Sequence, residues 1–71
     1  MKKYLFVVAI QDPQDKQEPL AFAHAFVTAD DESDAYAKGG RLYESGDLIN
    51  HVPEFVGVND YVVELPHKLE I

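Results

Sequence analysis

The side chains best equipped for chemistry in this chain are carboxylates. Residues 30 to 47 hold Asp30, Asp31, Glu32, Asp34, Glu44 and Asp47 against only Lys38 and Arg41, and an earlier polar stretch adds Asp12, Asp15 and Glu18 against Lys16. Acids in this pattern serve one of two ends. They cap and solvate a helix, whose N-terminus carries a partial positive charge, or they present an acidic surface to a basic protein partner. In the second role they compete with phosphate wherever that partner also binds nucleic acid.

Other chemistry finds little to work with. Asp30, Asp31 and Asp34 lack the alternating ligands, central glycine and closing glutamate of a calcium loop. His24, His51 and His67 are isolated, with no pair at the i, i+4 spacing of a zinc site. The only serines, Ser33 and Ser45, stand outside any nucleophile-elbow pattern, and the glycine pair Gly39-Gly40 does not follow a strand as a phosphate-cradling loop would. There is no cysteine, hence no disulfide framework, thiolate metal site or thiol nucleophile. The expectation is a protein without catalytic residues, metal or cofactor.

Size and charge agree with this. Seventy-one residues make one domain, 1–71, and a chain so short buries only roughly 60% of its unfolded surface, leaving little for a water-excluding pocket. Thirteen acids against six bases give a formal charge of −7, which argues against direct binding to nucleic acid or to an anionic membrane. Met1-Lys2-Lys3 and the apolar run after it imitate the start of a signal peptide. The run is short, however, no small-residue cleavage pattern follows, and Asp12-Pro13 ends it. A cytoplasmic location is expected.

These groups must be positioned by a small α+β scaffold. The β-branched and aromatic run Lys3 to Gln11 predicts a strand, closed by the polar loop Asp12 to Pro19. From Leu20 to Thr28 the period is two, with Leu20, Phe22, His24, Phe26 and Thr28 on one side and Ala21, Ala23, Ala25 and Val27 on the other. The period then changes. Asp31, answered three residues later by Asp34, predicts a helix from about Glu32 to Ser45, with Ala35, Gly39, Leu42 and Tyr43 on its apolar stripe and Gly46 as its left-handed stop. Gly39 is expected to let the helix backbone approach a sheet. A last strand is expected from about Asn59 to Leu65, with Asn59-Asp60 either turning a hairpin or bulging a longer strand. The order is ββαβ: a three-stranded antiparallel sheet, order 2-1-3, with one helix packed on one face.

Such a sheet needs only one apolar face, yet its first strand is apolar on both: Tyr4, Phe6, Val8 and Ile10 on one side, Leu5, Val7 and Ala9 on the other. The face left over is expected to be an interface, made of Leu5, Val7, Ala21, Ala23 and Ala25, unless the chain from Asp47 onward folds across it. His24, between Phe22 and Phe26, reads as a core or interface side chain rather than a ligand.

The run from Phe26 to Tyr36, a strand ending in alanine followed by a short acidic helix cap, resembles the strand-to-helix junction of small phage and prophage accessory proteins. Size and acidity also resemble those of phage inhibitors of host defence, of the anti-CRISPR and anti-restriction kinds. The resemblance implies a protein that binds a host nuclease or surveillance complex and blocks it by occupancy; it carries no residue roles with it. The function expected is thus a noncatalytic protein-binding module with an acidic surface for a basic partner. The alternative is an assembly subunit that pairs with a second copy of itself through the apolar face.

Overall fold

The computed structural model describes residues 1–66. Its elements are β1 (Lys2–Gln11), β2 (Ala21–Ala29), α1 (Glu32–Ser45) and β3 (Val56–Glu64). The strands form one sheet in the order β2-β1-β3, with β1 antiparallel to both neighbours. The ββαβ architecture and strand order are those expected from the pattern.

Local chemistry sets the helix ends. The Asp31 carboxylate accepts the Asp34 backbone N–H at 2.8 Å, and Asp34 returns the contact by accepting the Asp30 N–H at 3.1 Å, a reciprocal cap built from two aspartates. Gly46 ends the helix at φ 76°, donating its N–H to the Leu42 and Tyr43 carbonyls.

The register decides which face is covered. Val8 lies opposite Ala23, Phe6 opposite Ala25, and Tyr4 opposite Val27, so the alanine row shares a face with the bulky row of β1. This is the face beneath α1. Small residues on β2 together with Ala35 and Gly39 on the helix let the backbones approach, and Tyr4, Phe6 and Ile10 fill the space between. The expected interface set is therefore corrected: Ala21, Ala23 and Ala25 belong to the helix-covered face, with Ala23 fully buried, while Leu5 and Val7 belong to the other. Val7 faces His24. A register differing by one residue exchanges the faces, and the alternation of β2 does not by itself say which row meets which.

Two further features refine the expectation, and of the two alternatives for Asn59-Asp60 the structure has the longer, bulged strand. β3 begins at Val56, three residues before the expected start, and carries Asn59-Asp60 within a single strand; the pairing shifts between Ala9 and Ile10, which face Asn59 and Gly57 and leave Val58 over as a bulge. The stretch after the helix sends Leu48 into the core and pairs Ile49 with His24 as a short antiparallel bridge at the outer side of β2.

Candidate functional site

The open face of the sheet is built from the alternate residues that the helix does not cover. Its residues are not alike in exposure: Leu5 and Val7 on the central strand are half-buried, whereas Phe26 is 65% exposed, Phe22 47% and Val63 53% on the flanking strands. The pairings Leu5 with Phe26 and Val63, and Val7 with His24 and Tyr61, make the patch continuous across all three strands. Ile49, brought alongside by its bridge to His24, extends it beyond β2 and is 54% exposed. The His24 and Phe26 rings meet edge to face, their centroids 6.2 Å apart. Phe22, Phe26, Ile49, Tyr61 and Val63 are absent from the expected interface; the bulky row of β2 is a signal for Phe22 and Phe26 alone.

The carboxylates are brought together as two groups rather than one surface. Asp30, Asp31, Glu32 and Asp34 stand where β2 ends and α1 begins, while Asp12, Asp15 and Glu18 stand in the loop at the opposite end of the same strand. Nine strand residues at about 3.3 Å each set these groups on the order of 30 Å apart. The helix returns along the sheet, so Glu44 and Asp47 lie toward the end that carries the loop.

Several of these acids are occupied locally. Asp12 and Asp15 accept the backbone N–H groups of Gln14 and Gln17, and Asp47 accepts the Ser45 hydroxyl at 2.7 Å. Asp34 also lies 3.4 Å from the Lys38 ammonium. The Asp30 backbone N–H, and then Lys38, hold the Asp34 carboxyl below the usual carboxylate range against a partial desolvation that raises it. By contrast Glu18, Asp30, Glu32 and Glu44 are exposed, and their carboxylates make no ion pair or hydrogen bond among the described residues.

On the helix side, a cleft of about 330 Å³ lies between α1 and β3, lined by Phe6, Val8, Gly40, Tyr43, Gly57 and Asp60 among others. Tyr43 spans its end, its hydroxyl accepting the Gly57 N–H at 2.9 Å. Among the described residues, no group of three or more histidines, cysteines or acids is placed to hold a metal ion, and no helix is long and apolar enough to cross a membrane. No known protein family, curated protein or solved structure matches the chain.

Proposed function

We propose that this chain is a noncatalytic protein-binding module whose main contact surface is the open sheet face. The observation that carries the reading is the continuous apolar patch of Phe22, Phe26, Ile49, Tyr61 and Val63 around Leu5 and Val7, exposed on a domain too small to spare such area. Aromatic side chains in such a patch supply contact area at low entropic cost, and the carboxylates at the two ends steer a basic partner toward it. Bound to a nucleic-acid-binding protein, the module would act by occupancy, as the resemblance to phage inhibitors implies.

A specific observation also favours self-association. The strand residues facing the open side include no carboxylate, so two chains of charge −7 can join there while their acids stay on the far faces and ends. Light scattering on the purified chain separates the readings: a dimer that Phe26→Glu converts to a folded monomer identifies the assembly subunit. A monomer that captures a defined basic protein, and loses it on the same substitution, identifies the binding module. A monomer whose captured proteins are unchanged by Phe26→Glu overturns both.

A further inference from the structure

The two edges of the sheet are not equivalent. In β1, even-numbered residues bond to β2 and odd-numbered ones to β3, as the Leu65 N–H to Lys3 carbonyl bond at 2.9 Å fixes by alternation. The outward peptide groups are therefore those of the even residues of β2 and, on the other edge, of Asp60, Val62 and Glu64. The β2 edge is half closed: His24 exchanges both bonds with Ile49 at 3.0 and 2.7 Å, Asn50 donates to the Phe22 carbonyl, and Lys38 donates to the Thr28 carbonyl, which leaves Phe26 as its open point. On β3 the Gly57 N–H is taken by the Tyr43 hydroxyl and the Asp60 N–H by the side chain of Asn59. Val62 and Glu64 keep their outward groups beyond any partner among the described residues.

We infer that the β3 edge accepts an added strand from a partner protein, an extended segment with basic side chains at alternate positions on the helix side and apolar ones on the open side. This assignment rests on the binding-module reading and names the segment the module would take. The charges select the occupant. Asp60 and Glu64 stand on the helix side of the edge, Glu64 shared with the Lys2 ammonium at 3.8 Å and Asp60 with no cation beside it among the described residues, whereas Tyr61 and Val63 stand on the open side. A second copy paired about Val62 would set Asp60 opposite Glu64 of that copy, acid against acid, whereas lysine or arginine there is matched. The cleft beside the edge adds depth: a basic side chain entering it lays its aliphatic stem on Phe6 and Val8 and brings its charge to Asp60.

The test is titration of isotope-labelled protein with a short capped peptide alternating valine and lysine, against one alternating valine and glutamate. Binding of the lysine peptide should slow amide exchange at Val62 and Glu64, leave Phe26 unchanged, and be absent for the glutamate peptide. Gly40→Leu fills the mouth of the cleft, and a Cβ at Gly40 meets no atom within 4 Å, so that variant should fold and bind about tenfold more weakly. Equal response to the two peptides, exchange unchanged at Val62 and Glu64, or full affinity in Gly40→Leu overturns the inference. Shifts confined to Phe22, Phe26 and Tyr61 would overturn the edge assignment and leave the open-face reading standing.

Discussion

Gly39 lies against the ring of Phe6 so closely that a Cβ there would enter the ring, while a Cβ one residue later, at Gly40, meets open space. The helix backbone thus rests on a core aromatic, and one missing methyl sets the separation of the two layers. Gly39→Ala should lower stability by about 1–3 kcal/mol through overpacking, despite the better helix propensity of alanine. Gly40→Ala should be neutral or stabilise by up to about 1 kcal/mol. Chemical denaturation of the pair checks this; equal effects would mean that the helix sits differently on the sheet.

The two faces of β2 should respond oppositely to charge. Ala23 is fully buried opposite Val8, so Ala23→Glu places an unpaired carboxylate in the core at a cost of several kcal/mol, enough to unfold a domain of this size. Phe26→Glu, on the open face, should retain the native circular dichroism spectrum. A folded Ala23→Glu protein would contradict the register.

At the helix start the expected effects are electrostatic. Asp31→Ala removes the cap of the Asp34 N–H and should cost about 1 kcal/mol. The lowered Asp34 value gives a sign as well. Between it and the ordinary aspartate value near 3.9, the unfolded chain binds more protons than the folded one, so stability rises with pH across that window. Asp34's contribution is present above the ordinary value and disappears as pH falls through the lowered one. Asp34→Asn should flatten the acid limb of stability against pH; an unaltered limb would assign the slope to other groups.

The elements legible in the sequence were those with local signals. Asp31, Asp34 and Gly46 mark both helix ends, Gly39 marks the close approach, and the period-two pattern marks β2. What stayed hidden depended on pairing across distance. The alternation in β2 separates alanines from phenylalanines but carries no information about which row meets Phe6, and the choice follows from how small residues let the helix dock. The role of Leu48 and Ile49 was equally hidden, because two residues are too few to show a period. The carboxylates were legible by type, but their division between the two ends follows only from the hairpin topology.

The last prediction concerns the link between helix and edge strand. Tyr43 accepts the Gly57 N–H, and a Cβ at Gly57 would stand 2.9 Å from the Tyr43 hydroxyl and 3.1 Å from Val8 Cγ1. Tyr43→Phe should cost about 1 kcal/mol through the lost hydrogen bond. Gly57→Ala should cost more, since the added methyl presses on both neighbours. The two should not be additive: removing the hydroxyl relieves one of the contacts that the new methyl makes, so the double variant should be more stable than the sum of the single effects predicts. A double-mutant cycle measured by denaturation gives the coupling. A coupling near zero would show that β3 settles away from Tyr43 when Gly57 is replaced, and that the helix does not hold the edge strand through this contact.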